Sequence, residues 1–594
     1  MKYPELKEIN TSREMTDVFG GYNHNLRIGT GEFYDMKNMT SDDYPVLSPR
    51  KQRGVYASPT NPVGLIAKDA LCYVDCVTPE HDDGARFYIN GKEVEGLTLS
   101  SKAAHCPKTL VSMGAYVIIM PDKKYVNTDD ETYSDYGNID ATVTTTNPVW
   151  FSPCKIDGAD YPDAAISDAP PSSPKNLDLW LDTSGETHVL KQYSETSAQW
   201  VSIATTYIKI SSAGSGIGKL FLVGDGITIT ASDRDEIEGI TGSVLVWGTP
   251  DDDSIVVTGM IDKRYNIDAA VTLERKMPKM DFVVEAGNRL WGCRYGLSND
   301  KVMVNEIYAS KLGDFKNWNS FAGISTDSYA ASVGTDGQFT GAITHLGYPI
   351  FFKENFIHKV YGNYPSNYQI QTTACRGVQM GCERSLAIVN ETLFYKSRTS
   401  VCAYDGSLPT EVSSALGDVQ YSKAVAGVLG NKYYISMMDT DGEYSLFVFD
   451  TNKGMWHRED DTQVVAFCTN KGDLFFIDSD KHIKTVRGTG TPITDLVSWE
   501  AITGIIGTDS PDKKYISRMD VRLSLNVGTR VSIFADYDSL GSWEHLFSMT
   551  GTTLRSFAIP IRPKRCDHLR LKIMGIGEAK IYSITKTIEQ GSDV

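Results

Sequence analysis

Residues 339–362, FTGAITHLGYPIFFKENFIHKVYG, and residues 385–406, SLAIVNETLFYKSRTSVCAYDG, lay down one pattern twice. An apolar run meets a short turn (Leu346-Gly347, Asn390-Glu391), continues as an aromatic-rich run, turns at charged residues and returns as a third run. β-branched and aromatic residues bounded by Gly, Asn and charge fit a pleated, half-buried surface, so each copy reads as a meander of short strands. One such sheet cannot bury both of its faces. It needs copies of itself alongside.

The chain supplies them. GLIAKDALCYVD (64–75) leads into RFYINGKEVEGLTL (86–99), and KTLVSMGAYVIIMPDKKYVNT (108–128) follows, with turns at Asp69 and Gly114. The pattern stops there and resumes at DFVVEAGNRLWGCRYG (281–296, turn at Gly287). It then runs through the two opening copies to AVAGVLGNKYYISMMDTDGEYSLFVFD (424–450, turn at Gly430) and VVAFCTNKGDLFFIDSDKHIKTVRG (464–488, turn at Lys471). Apart from the interruption the turns recur every 40 to 60 residues or so, roughly the period of a four-stranded propeller blade. The expected fold is all-β: a β-propeller of about six to eight blades, whose radial closure leaves only short edges. Lys353, Glu354, Lys396 and Arg398 fall after the aromatic runs and read as charges that keep blade corners soluble.

The rest of the chain divides around that series. Residues 1–60 carry Gly, Asp and Asn with aromatics spaced as anchors (Phe19, Tyr22, Phe33, Tyr34, Tyr44) and no core of their own. Ordering such a segment needs a core it does not have, so an extended N-terminal arm lying across another surface or another subunit is expected. Residues 61–128 and 279–490 hold the blades. Residues 129–278 are too long for a loop and read as one or two inserted β modules, with Trp180, Leu190, Tyr193 and Trp200 on one hairpin face. Residues 491–594 show long period-two strands, as in a C-terminal β-sandwich.

Composition narrows the function. The chain has 594 residues, a formal net charge of -17 and ten scattered cysteines. That charge disfavours adhesion to phosphates, which is driven by Lys and Arg. The cysteines lack paired metal-knuckle spacing and read as buried free thiols. MKYPELKEIN has no apolar signal core, and no run approaches the ~20 apolar residues of a membrane span, so a cytosol-like compartment and no membrane insertion are expected.

Motifs for chemistry are weak. AGSGIGKL (213–220) lacks the hydroxyl residue and the spacing of a phosphate loop and reads as a turn, as do Asp439–Glu443 and the acidic run Asp251, Asp252 and Asp253. No nucleophile, zinc or paired-carboxylate motif stands out, so no catalytic, cofactor or metal residues are assigned and the expectation is a chain that is not an enzyme. In IRPKRCDHLRLK, Arg562, Lys564, Arg565, His568, Arg570 and Lys572 form a basic cluster that reads first as a solvated strand face, with Leu569, Leu571 and Ile573 toward the core, and alternatively as a contact with an acidic neighbouring subunit.

FGGYNHNLRIGTGEFYDMKNMTSDDYPVLSPRKQRG, FFKENFIHKVYGNYPSNYQIQ, CRGVQMGCERSLAIVNETLFYKSRTSVCAYDG and RPKRCDHLRLKIMGIGEAKIYSI together resemble structural tail proteins of tailed bacteriophages and prophages. The propeller with an arm is similar to the tail tubular, or nozzle, proteins of short-tailed phages. The resemblance implies a virion protein, assembled in the bacterial cytoplasm as a six-fold homo-oligomeric ring. Other tail and connector proteins would attach to it, and genomic DNA would pass through as cargo. Phe19, Tyr22, Phe33, Tyr34, Tyr44, Arg565, Arg570 and Lys572 are its candidate subunit contacts. The alternative is a distal tail protein that binds host surface glycans, with Trp180 and Trp200 stacking on sugar rings; the same aromatic faces suit the core of a small β module, which is the favoured reading of the two residues.

Overall fold

The computed structural model describes residues 11–160, 164–185, 189–203, 207–231, 242–261, 263–298, 301–493, 496–507, 514–559 and 566–590. The chain is all-β, and the α-helix among the described residues, Ile217–Leu220, is a single turn. Seven four-stranded meanders follow one another among the described residues, at 62–99, 109–138, 282–332, 339–374, 387–411, 422–458 and 464–485. The last takes its fourth strand, Gly54–Ala57, from the N-terminal region.

The turn between the first and second strands is alike in all seven. Asp69, Gly114, Gly287, Gly347, Glu391, Gly430 and Lys471 all have φ between 47° and 80°. Positive φ matches the hairpin turn to the right-handed twist of the strands, which is why Gly, Asn and Asp recur there. The second strands are apolar without alternation, because they are covered on both faces: Tyr348–Lys353, Thr392–Lys396 and Asp473–Asp478 are buried almost throughout. That burial extends to Lys353 and Lys396, 1% and 3% exposed, and corrects their reading as solvated corner charges. Lys396 Nζ donates to Gln379 Oε1 at 3.0 Å and to the Ser397 carbonyl at 2.5 Å, so hydrogen bonds replace its water.

The residues cluster into two units, one of 1–110, 351–357 and 373–594, the other of 111–350 and 358–372. In the first, successive meanders pack sheet on sheet. Phe394 meets Tyr433 at 5.3 Å, Leu429, Tyr434 and Val448 share a core with Leu474, and Leu71 and Tyr73 share one with Phe475 and Ile477. Gly427 sits where the strands approach closely: a Cβ there would stand 2.5 Å from Phe467 Cβ. Gly427→Ala is expected to destabilise this unit by about 1–3 kcal/mol through overpacking, read as a lower urea midpoint with an unchanged slope.

In the second unit Ile118, Met120 and Tyr125 share a core with Val283, Leu290 and Trp318, joining the meanders at 109–138 and 282–332. The insertion contains an eight-stranded sheet whose core includes Phe151, Ile210, Phe221, Ile255 and Leu273. Its first and last strands in the sequence pair, Ala141–Thr144 with Val271–Arg275. It therefore begins later than residue 129, since Tyr136–Asn138 is the outer strand of a meander. A separate small sheet holds Ala165–Ser167, Leu179–Asp182, Val189–Ser194 and Gln199–Ser202.

The C-terminal region is built on one long strand, Lys514–Tyr537. One side of it pairs with Glu544–Ile559; the other pairs first with Ala579–Gln590 and then with Leu569–Ile576. Inward residues alternate as the sequence predicts: Leu569, Leu571 and Ile573 are buried and Arg570 and Lys572 half-buried. This region is not a self-contained sandwich. Ser498–Thr503 pairs with the arm strand Glu32–Lys37, which leads through Gly21–Tyr22 to Trp456 of the meander at 422–458.

Candidate functional site

The arm is the segment for which sequence predicts contacts, and it is seated on its own chain. Thr11–Thr16 pairs with Ile584 to Glu589, Glu32–Lys37 with Ser498–Thr503, and Gly54–Ala57 with Ile483–Thr485. Phe19, Tyr22 and Phe33 are 4%, 5% and 1% exposed. Phe19 packs on Phe33 at 5.9 Å and Tyr22 on Phe447 at 5.5 Å. Three of the five anchors thus lie in the chain's own core rather than against a neighbour. The physical reason is that free strand edges in the meander at 422–458 and the C-terminal region accept the arm's backbone, and their sheets cover its aromatics.

Tyr34 stacks on His24 at 4.3 Å, with the Arg570 guanidinium 4.4 Å from its ring on the partly exposed surface. Lys572 Nζ stands 4.6 Å over Trp543. Both cations are engaged with aromatic faces of their own chain. Tyr44 remains exposed beside Lys453, and Arg565 lies outside the described residues.

Ion pairs fasten the arm along its length. Lys432 Nζ donates to Asp42 at 2.6 Å, Lys580 to Asp43 at 2.6 Å and Lys37 to Asp461 at 2.8 Å. The buried set is the strongest: Arg53 reaches Glu459 at 2.7 Å and Asp460 at 2.9 Å, with Arg50 3.4 Å from Asp460. Burial alone would raise the Asp460 pKa, but Arg53 and then Arg50 hold it down to about 2. Arg50, Arg53 and Asp460 line a cleft of about 310 Å³ with Lys484 and Thr462. Two guanidinium groups face two carboxylates, and Lys484 is 2.5 Å from Asp478, so the cleft is charge-balanced and offers no unpaired cation to an anion. Sequence reading passed over this set, although the opposite charges of RKQR (50–53) and EDD (459–461) are its visible sign.

The weak motifs resolve into turns. Asp253 accepts from the Gly214 and Gly216 amides, each at 2.8 Å, and Lys219 is 2.7 Å from Asp252. The donors a phosphate would use are therefore taken by the chain's own carboxylates. Asp439 caps its hairpin, accepting from the amides of Asp441 and Glu443. Asp478, Asp480 and His482 bring ligand atoms within 4.8 Å of one another, but the Lys484 ammonium already occupies the cation position beside Asp478. All ten cysteines are free, and burial pushes the thiols of Cys72, Cys154 and Cys468 up to about 12, which leaves them thiols rather than nucleophilic thiolates.

The two candidate sugar-stacking residues form a small core. Trp180 is 4% exposed, donates its Nε1–H to the Ser167 carbonyl at 3.0 Å and lies under Lys191 Nζ at 4.8 Å. Trp200 is half-buried, edge-on to Trp180 and to Tyr193 at 5.4 Å each. Trp180 therefore has no open face for a sugar ring. Trp180→Ala is expected to destabilise the small sheet by about 3–5 kcal/mol, seen as accelerated hydrogen exchange at 179–202 while the meanders keep their protection.

No family model and no curated protein matches this chain. Solved structures similar to it include an exo-β-1,3-galactanase from Phanerochaete chrysosporium (9% identity, 51% of this chain and 94% of that one, TM-score 0.21). Others are a family 43 arabinoxylan arabinofuranohydrolase from Bacillus subtilis (7%, 50% and 94%, TM-score 0.16) and a mutant Trypanosoma rangeli sialidase with trans-sialidase activity (8%, 97% and 95%, TM-score 0.21). The expectation of a chain that is not an enzyme is corrected by this finding, since these neighbours are glycan-processing enzymes. Its basis was the missing motif, and carboxylates that cleave a glycosidic bond come from separate strands and leave no contiguous one. At these TM-scores the likeness carries no argument for a particular activity or site.

Proposed function

We propose that this chain is a structural subunit of a bacteriophage tail, repeated in a six-fold ring that forms a nozzle or tail tube for DNA ejection. In this reading the seven meanders are the blades of one β-propeller, with Gly54–Ala57 as the fourth strand of the last blade and the short strand Thr491–Pro492 paired beyond it. The observation that carries the reading is the arm. Its strands join the C-terminal region to two meanders, and its ion pairs brace them, which suits a wall that must hold its shape while DNA passes. The sequence resemblance points the same way, and a net charge of -17 disfavours adhesion of the passing polyanion. Other tail and connector proteins would dock on the ring, in the virion, after assembly in the bacterial cytoplasm.

The test is the copy number of this chain in purified particles, measured by mass spectrometry against labelled standards. Six copies, or a multiple of six, are expected. Absence from the particle, or a single copy, would overturn the proposal.

A further inference from the structure

The second strand of the first meander, Ala70–Cys76, ends on a thiol that faces another thiol. Cys76 Sγ stands 3.6 Å from Cys106 Sγ, and both cysteines are free. The two are unequally placed. Cys76 is 3% exposed and fixed in the sheet, where it lies opposite Ala85 and its amide donates to the Asn61 carbonyl at 2.9 Å. Cys106 is half-buried, in the segment that follows the strand Lys92–Leu99.

That segment is tied at both ends and open between them. The Ser101 amide donates to the His81 carbonyl at 2.8 Å and the Lys108 amide to the Val63 carbonyl at 2.9 Å, while Ala103, Ala104 and Pro107 are exposed. A disulfide bond needs its sulfurs about 2.05 Å apart, so from 3.6 Å Cys106 Sγ has about 1.5 Å to advance. The exposed middle of the segment can absorb that shift while the sheet stays still.

We propose that Cys76 and Cys106 are a disulfide-forming site, closed by a low-molecular-weight disulfide once the chain leaves a reducing compartment. The Cys106 thiol, reachable from solvent, gives up its proton and attacks one sulfur of the oxidant, whose other sulfur leaves as a thiolate. Cys76 Sγ then gives up its proton, attacks the Cys106 sulfur of the mixed disulfide and expels the second thiolate. Two protein thiols are oxidised to one disulfide, and one small disulfide, taking up the two protons, is reduced to two thiols. Burial, and then the contact with Cys106, pushes the Cys76 thiol up to about 12. That slows the second step, which contact between the sulfurs offsets by making it intramolecular. It also makes Cys76 a poor leaving group, so a thiol attacking the reachable Cys106 sulfur reopens the bond slowly. The closed bond encircles the strands Ala85–Ile89 and Lys92–Leu99 and latches the 101–107 segment to the first meander.

The full-length chain, purified in reductant and then freed of it, is incubated with excess oxidised glutathione, blocked with N-ethylmaleimide, digested and read by mass spectrometry. A peptide pair joined through Cys76 and Cys106 is expected in most molecules, with amide exchange at 101–106 slowed at least about tenfold relative to the reduced chain. Cys76→Ala removes the second nucleophile and should leave glutathione attached at Cys106, whereas Cys106→Ala should leave Cys76 unmodified. Recovery of both wild-type thiols as maleimide adducts, or of glutathione retained on wild-type Cys106, would overturn the site, and a joined pair with unchanged exchange at 101–106 would overturn the latch. The wild-type measurement needs neither variant to fold. It is also independent of the tail reading, since absence of this chain from purified particles would leave the result unchanged.

Discussion

Arg53→Ala is expected to lower the stability of the unit that contains the arm by about 3–5 kcal/mol. The guanidinium is 6% exposed, reaches Glu459 at 2.7 Å and Asp460 at 2.9 Å, and lies 5.1 Å from the ring of Phe476. Removing it leaves two carboxylates, one buried and one nearly so, with only Arg50, at 3.7 Å and 3.4 Å, to balance them. The residue also stands next to Gly54–Ala57, so the strand that completes the last meander loosens with it. Urea unfolding gives the magnitude. Hydrogen exchange at 54–57 and 483–485 shows where it is felt, and unchanged protection there would refute the assignment.

Acid should destabilise the same unit well above the ordinary carboxylate range. His457 is 4% exposed, and burial first, then Lys432, pushes its pKa down to about 3. The folded pKa lies below the ordinary value of 6.5, so between them the unfolded chain binds the proton that the folded chain refuses. Stability is therefore full above pH 6.5 and falls as pH drops toward 3, at about 1 kcal/mol per pH unit. Asp460, held near 2, adds a further loss only below the carboxylate range. His457→Gln should flatten the slope of unfolding free energy between pH 6.5 and 4 by about one proton while leaving the loss below pH 4. An unchanged slope would count against this account.

How far these features could be read in advance depends on the range of the interactions that set them. The meanders were legible because hairpin turns and apolar runs are local: the turn positions from Asp69 to Lys471 can be read directly from adjacent residues. The lack of a core in the arm was also legible, but its seat was not. The pairing of Tyr22 with Trp456, or of Lys37 with Glu500, depends on edges hundreds of residues away, and composition says nothing of register. Lys353 and Lys396 were misread because charge after an aromatic run ordinarily signals a turn. Here the sheets cover the end of the strand, and hydrogen bonds take the place of water. Trp180 shows the same limit, since an aromatic on a hairpin face serves a core or a ligand with the same sequence pattern. The insertion was legible as a break in the series, yet its start was misplaced because Tyr136–Asn138 carries too little apolar sequence to announce itself as a strand.

The central claim is that the arm belongs to the body of its own chain. Ser12 lies directly opposite Ile588 at the surface, so Ser12→Cys/Ile588→Cys places a bond-forming pair across that joint. Light and heavy isotope-labelled preparations of this variant are mixed, unfolded together, refolded and oxidised, and the cross-linked peptides joining positions 12 and 588 are analysed by mass spectrometry. A chain that seats its own arm predicts light–light and heavy–heavy peptides only. Mixed light–heavy peptides at the statistical frequency would mean that the arm is delivered by a neighbour, and would contradict the account.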